Sequence, residues 1–184
     1  MSSRVRVALI LAWLTIFVVM PARSAVGLDL EQAIKRLDLV RPARTRTAVD
    51  FSVDLHPDGT FRLSEQRGKV VLLNFWATWC APCLEEMPAI GRLWERYRDR
   101  GLIVLAISVD ARTQPVVSFV TRHKLGFSVG LDPKSEVATL YGARALPSTF
   151  IIDRDGGLAA LALGPRIWDG EAAHALIESL TPGQ

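Results

Sequence analysis

Two cysteines stand three positions apart in this 184-residue chain, and there are no others. The segment reads Trp79-Cys80-Ala81-Pro82-Cys83. Two residues between cysteines at the start of a helix let the sulfurs meet as a disulfide or separate as a dithiol. Cys80 falls at the N-terminal end, where orphan backbone N–H groups and the helix dipole favour an anion. That lowers its pKa and raises its thiolate fraction. Cys83, one turn inside, is the more covered. The expected division of labour is that Cys80 attacks a partner's disulfide and Cys83 resolves the mixed disulfide. Pro82 suits the first helical turn, where a missing N–H costs little. Two other readings stay open. A structural disulfide across so small a loop gains little chain-entropy stabilisation. A two-thiolate metal carrier needs further ligands, and His56, His123 and His174 sit in unrelated segments.

The flanking pattern says what positions the pair. Val70–Trp76 is a continuous apolar run, the mark of a central strand buried on both faces. It leads into the cysteines and a helix over Ala81–Asp99, stopped by Gly101. Upstream, strands at Phe51–Leu55 and Thr60–Leu63 flank the turn His56-Pro57-Asp58-Gly59. Downstream, Leu102–Val109 reads as a second buried strand, Pro115–Lys124 as a helix, Phe127–Leu131 as a strand and Lys134–Tyr141 as a helix. Thr149–Asp153 and Leu158–Leu163 form a hairpin over Arg154-Asp155-Gly156-Gly157. Glu171–Leu180 closes as a helix before Pro182. Helices must cover both faces of such a sheet, so the class is α/β with three α/β/α layers.

Charge and composition bound the rest. The formal net charge is +3, from 22 basic and 19 acidic residues, in an ordinary globular composition. Residues 1–25 hold Arg4, Arg6 and Arg23, no acid, and an apolar stretch at 7–20 interrupted by Thr15. That is the pattern of a secretory signal; at 14 residues it is short for a spanning helix, and an uncleaved anchor is the competing reading. Without these three arginines 19 charges of each sign remain, so no nucleic-acid partner is implied. Residues 26–47 read as a helical segment over 28–40, with Asp29 as cap, followed by an Arg41–Thr47 linker; 48–184 read as the main domain.

Gly68 to Cys83, with its Asn74-Phe75-Trp76-Ala77-Thr78-Trp79 approach, resembles the active-site segment of the thioredoxin superfamily. More narrowly it resembles the TlpA/ResA-like thiol–disulfide oxidoreductases, which include the cytochrome c maturation thioredoxins. Asp50 to Leu63 resembles that family's N-terminal hairpin, and Leu146-Pro147-Ser148-Thr149-Phe150-Ile151-Ile152-Asp153 its cis-proline strand. The resemblance covers roughly residues 48–181. It implies a thioredoxin-like fold with an N-terminal hairpin and a central helix–strand insertion at Pro115–Leu131. It also implies that Leu146 and Pro147, with Trp79, Ala81 and Pro82, meet an extended substrate, and that no cofactor or metal is needed beyond the Cys80–Cys83 disulfide. Pro147 at the start of a central strand independently asks for an edge, a bend or a cis bond. Asp110, Arg112 and Asp132 border the insertion, and their roles stay open between substrate selection and turn chemistry.

Two positions depart from ordinary thioredoxins, which carry a buried Asp where this chain has Asn74. Asn cannot titrate. Glu86 follows Cys83 by three residues. At 100° per residue it lies about 60° from Cys83, on the border of the apolar face formed by Met87, Ile90, Trp94 and Tyr97. It matches the acidic residue that the family keeps beside its active site. Glu86 is therefore expected to be partly buried, to have a raised pKa and to move protons for the cysteines, against the plainer reading of a solvated glutamate.

The function expected is an exported reductant of disulfides in other exported proteins, such as apocytochrome c or copper-site proteins, with a membrane thiol-electron transporter of the CcdA/DsbD kind upstream. A periplasmic, monomeric protein is expected. A peroxiredoxin-type peroxidase is the alternative, but its Pro-x-x-x-Thr-x-x-Cys motif meets Leu73 and Ala77 here. A copper-binding carrier is the other, lacking a Cys-x-x-x-Cys pair.

Overall fold

The computed structural model describes residues 28–44 and 46–181; the export signal or anchor read at 1–25 and the helix stop at Pro182 lie outside the described residues. In chain order the elements are α1 (Leu30–Arg36), β1 (Ser52–His56), β2 (Thr60–Arg62), β3 (Val70–Trp76), α2 (Ala81–Tyr97), β4 (Leu102–Ser108), α3 (Thr113–His123), β5 (Ser128–Leu131), α4 (Glu136–Tyr141), β6 (Ser148–Ile152), β7 (Leu158–Leu163) and α5 (Glu171–Leu180). The strands make one mixed sheet in the order β2-β1-β5-β4-β3-β6-β7. β3, β4 and β5 run parallel; the remaining pairings are antiparallel.

All seven residues of β3 are buried, as a strand covered on both faces must be. Its alternate residues divide two cores. Val70, Leu72 and Trp76 face α1, α2, α3 and α5, with Cys80, Cys83, Ile90, Val116 and Leu176 in the same cluster. Val71, Leu73 and Phe75 face α4, the hairpin's Val53 and Phe61, and Phe150. The fold is thus thioredoxin-like and three-layered. Period-two alternation puts Asn74 on the α2 side, which later decides what it touches.

Several boundaries move for local reasons. α2 ends at Tyr97, and Arg98–Arg100 tightens into a 3₁₀ turn before Gly101 at φ 93°. α3 begins at Thr113, two residues before Pro115, because a proline in the first turn forfeits no helical hydrogen bond. α4 begins at Glu136 instead of Lys134: Ser135 is left-handed at φ 54°, and the Asp132 carboxylate accepts from the Glu136 and Ala138 N–H groups. Asp132 is therefore a helix cap. The N-terminal hairpin pairs through β1 with β5, the strand of the insertion, so the two additions to the core sheet support each other.

The residues ahead of the hairpin are tied to the same sheet. Asp29 and Gln32 cap α1 reciprocally. Ala33, Ile34, Leu37 and Leu39 join the core on the α2 side. The Arg41–Thr47 stretch is flanked by antiparallel bridges, Val40 to Leu161 and Thr47 to Gly157. The chain thereby pairs at both ends of this stretch with β7, the edge that would otherwise expose unpaired backbone groups. Replacing Ile34 with Ala should cost about 2–4 kcal/mol. Urea unfolding of the variant reads this directly; an unchanged midpoint would mean that α1 adds nothing to the fold.

Candidate functional site

The site is built where β3 ends. The chain leaves Trp76, turns through Ala77–Trp79 and enters α2 with Cys80 as the residue before the first helical turn, at φ −94° and ψ 96°. Ala81 and Pro82 occupy the first turn, and the Cys83 and Leu84 N–H groups both donate to the Cys80 carbonyl. Cys80 and Cys83 are joined in a disulfide with Cα atoms 5.3 Å apart. Their access differs: Cys80 is 7% exposed and Cys83 0%. Trp79 beside them is 71% exposed.

The turn before Cys80 is clamped from β4. The Asp110 carboxylate accepts from the Thr78 N–H at 2.8 Å and the Thr78 hydroxyl at 2.6 Å, and from the Ser108 hydroxyl at 2.7 Å. The Val109 N–H donates to the Trp76 carbonyl. Trp76 is fully buried and packs on Phe119 of α3, with ring centroids 5.1 Å apart. The insertion helix thus supports the floor of the cysteine loop. Asp110, whose role the sequence left open, holds that loop.

The Leu146–Pro147 peptide is cis. β6 pairs with β3 so that Phe75 faces Ser148, which brings Pro147 to the end of β3 from which the cysteine loop springs. The Pro147 carbonyl accepts from the Gly164 N–H at 2.8 Å. Pro147 is buried and Leu146 half-buried, while Ala81 is exposed and Pro82 half-buried.

Glu86 lies inside the protein, 4% exposed. One carboxylate oxygen, Oε1, accepts from Asn74 Nδ2 at 2.8 Å. The other, Oε2, accepts from the Trp168 indole N–H at 3.1 Å and the Arg166 backbone N–H at 3.2 Å. Asn74 also donates to Thr149 Oγ1, its cross-strand partner. Burial pushes the Glu86 carboxyl above its ordinary range, against the three donors and the Arg166 charge, which pull it down. Glu85, its neighbour, is exposed, as the helical periodicity requires. Arg166, Trp168 and Thr149 have no signal in the sequence pattern. Arg166 and Trp168 reach Glu86 from the loop after β7, and Thr149 of β6 reaches Asn74 behind it; only the pairing of those strands brings them there.

Among the described residues, no group of three or more His, Cys, Asp or Glu side chains could hold a metal ion, and no helix is long and apolar enough to cross a membrane.

Comparison with known proteins agrees with this geometry. The AhpC/TSA family model matches residues 45–161. The thiol–disulfide oxidoreductase ResA of Geobacillus thermodenitrificans is 36% identical over 136 residues, covering 74% of this chain and 77% of its own length. That of Bacillus thuringiensis is 31% identical over 159 residues, covering 86% and 90%. A crystal structure of a candidate thiol:disulfide interchange protein DsbE from Chlorobium tepidum superposes with a TM-score of 0.66 at 35% identity, covering 71% of this chain and 92% of the other. The matched residues 45–161 contain the strand, cysteine pair and proline described above. The chain therefore belongs to the AhpC/TSA family and, within it, to the ResA-type thiol–disulfide oxidoreductases, enzymes that work through a cysteine pair and need no bound cofactor.

Proposed function

We propose that this enzyme is exported and acts as a reductant, giving electrons from a Cys80–Cys83 dithiol to disulfides in other exported proteins. The observation that carries this reading is the asymmetry of the pair: Cys80 keeps a small exposed edge, 7%, whereas Cys83 is sealed one turn inside, three residues before a buried carboxyl.

The exchange then runs in two steps. The Cys80 thiolate attacks a partner's disulfide, forming a Cys80–partner bond and releasing the partner's other sulfur, which takes up a proton. Cys83 next gives its proton to Glu86, and the resulting thiolate attacks the Cys80 sulfur. The mixed disulfide breaks, the second partner sulfur leaves as a thiolate and is protonated, and Cys80–Cys83 closes as a disulfide. Two electrons pass to the partner. Residues three apart on a helix are neighbours, which supports Glu86 as the proton acceptor for Cys83. Asn74, which cannot titrate, leaves that duty to the glutamate.

The direction has an electrostatic rationale. Strong oxidants of this class are strong because their reduced, thiolate form is stabilised. The helix start stabilises a Cys80 thiolate, but a carboxylate one turn beyond Cys83 opposes negative charge on the pair. That balance favours a reducing couple.

Partners would be recognised at an apolar rim. Trp79 and Ile167 are 71% and 72% exposed, and Leu163 pairs in register with Ser148, the residue after Pro147. An extended segment could pair with the backbone of Leu146, the residue before the cis proline. Cysteines of apocytochrome c or of copper-site proteins are the substrate class that the family resemblance suggests. Such a reductant outside the cytoplasm draws electrons from a membrane thiol transporter of the CcdA/DsbD kind. Residues 1–25 would supply the export signal or a short anchor, and the protein would act in the periplasm as a monomer. Leu73 and Ala77 stand where a peroxiredoxin needs Pro and Thr, which weighs against peroxidase chemistry.

Replacing Cys83 with Ser should trap mixed disulfides through Cys80, visible as dithiothreitol-sensitive adducts on non-reducing gels. Equal trapping by Cys80→Ser would reverse the assigned roles. Glu86→Gln should slow resolution of the mixed disulfide by about 10²-fold at neutral pH and flatten its pH dependence; a wild-type profile would remove Glu86 from the chemistry. The linked stability effect has a definite sign. The native state keeps a proton on Glu86 at pH values where the unfolded chain has lost it, so wild-type stability relative to Glu86→Gln must fall as pH rises from the ordinary glutamate range through the raised native value. A gap in urea midpoints that is constant with pH would contradict this.

A further inference from the structure

We propose that the loop joining β7 to α5 is a positioning element that leaves Oε1 of Glu86 as the oxygen that takes the proton, with Trp168 as its principal residue. This rests on the reading of Glu86 as the proton acceptor for Cys83.

Each carboxylate oxygen offers two lone-pair positions. Oε2 spends both, on the Trp168 indole N–H and the Arg166 backbone N–H. Oε1 spends one, on Asn74 Nδ2. The position left for a proton is on Oε1. A proton on Oε2 would have to displace an N–H donor that has no other acceptor in place, and a buried donor without a partner costs about 1–3 kcal/mol.

The loop is held so that these donors stay aimed. Trp168 is fully buried. The Arg166 guanidinium reaches α1, donating to the Leu37 carbonyl at 2.6 Å and the Asp38 carbonyl at 2.8 Å, and pairs with the Asp38 carboxylate at 3.2 Å. Asp169, on the other side of Trp168, accepts from Arg92 of α2 at 2.8 Å. One side of the loop is therefore braced by the N-terminal helix and the other by the helix that carries the cysteines. The groups facing Glu86 are accounted for by element. From β3 comes Asn74, and behind it from β6 Thr149, neither titratable. From the loop come Trp168 and Arg166, whose guanidinium is the charge that acts on the carboxyl. On its own helix the neighbour one turn back is Cys83, and the Arg92–Asp169 pair lies further along.

The loop residues announce no chemistry in sequence, since a buried tryptophan after a hairpin reads as core. Here the indole is used at both ends, its rings filling the core and its N–H holding one oxygen of the acid.

The test uses the full chain. In the oxidised wild-type protein, the ¹H–¹⁵N indole resonance of Trp168 should move with pH at the same midpoint as the ¹³C resonance of the Glu86 carboxyl, and the movement should vanish in Glu86→Gln. In Trp168→Phe the pH profile for resolution of the mixed disulfide should shift to higher pH, because the lost donor had favoured the carboxylate. A Trp168 indole resonance that ignores pH, or a Trp168→Phe profile superposing on wild type, overturns the proposal. Should Trp168→Phe fail to fold, the wild-type resonance decides alone. The two readings separate cleanly: a Glu86→Gln profile identical to wild type removes the proton acceptor itself, whereas an altered Glu86→Gln profile with an unmoved Trp168→Phe profile removes only the positioning role.

Discussion

A carboxyl group kept out of water beside a disulfide is the constraint around which the rest of this structure is arranged. An unpaired carboxylate in such a place costs several kcal/mol. Glu86 is tolerated because three N–H donors converge on it, from β3, from the indole of Trp168 and from the backbone of Arg166. Each donor needs its own support. Asn74 must sit on the α2 face of β3, which the strand's alternation ensures. Trp168 must be buried, which α2 and α5 provide. Arg166 must be tied down, which requires α1. Even with these contacts, burial outweighs the donors and the carboxyl stays above its ordinary range, which is the condition a proton acceptor working near neutral pH requires.

The same constraint bears on the cysteine pair. A helix start favours a thiolate at Cys80, and taken alone would make the couple more oxidising. A negative charge one turn inside works the other way. In the proposed exchange the helix start would assist attack by Cys80, while the field of the buried acid would oppose lasting thiolate charge. Asp110 and Trp76 matter because both effects depend on where the loop holds Cys80. The carboxylate of Asp110 fixes Thr78, and the indole of Trp76 rests on Phe119 of the insertion.

Much of this was legible before any coordinates. The unbroken apolar run of β3, the cysteine spacing, the proline opening β6 and the helical phase of Glu86 are local signals, and the α/β class and three layers follow from the strand–helix pattern and from the family resemblance. What was not legible depends on distant partners. Trp168 carries no sign of its role in the sequence because its N–H acceptor lies 82 residues away. Asp110 read as an undecided strand-end acid because Thr78 meets it only through the parallel pairing of β3 with β4. Each miss concerns a contact made between elements rather than within one.

The equilibrium potential of the Cys80–Cys83 couple reads directly the balance between the helix start and the buried acid. Equilibration of the full chain against glutathione or dithiothreitol buffers at neutral pH should give a value in the reducing range, about −200 to −270 mV. A value near the −120 mV of the strong thiol oxidants would contradict it, showing that the helix start dominates and that the protein accepts electrons where this account has it donate them.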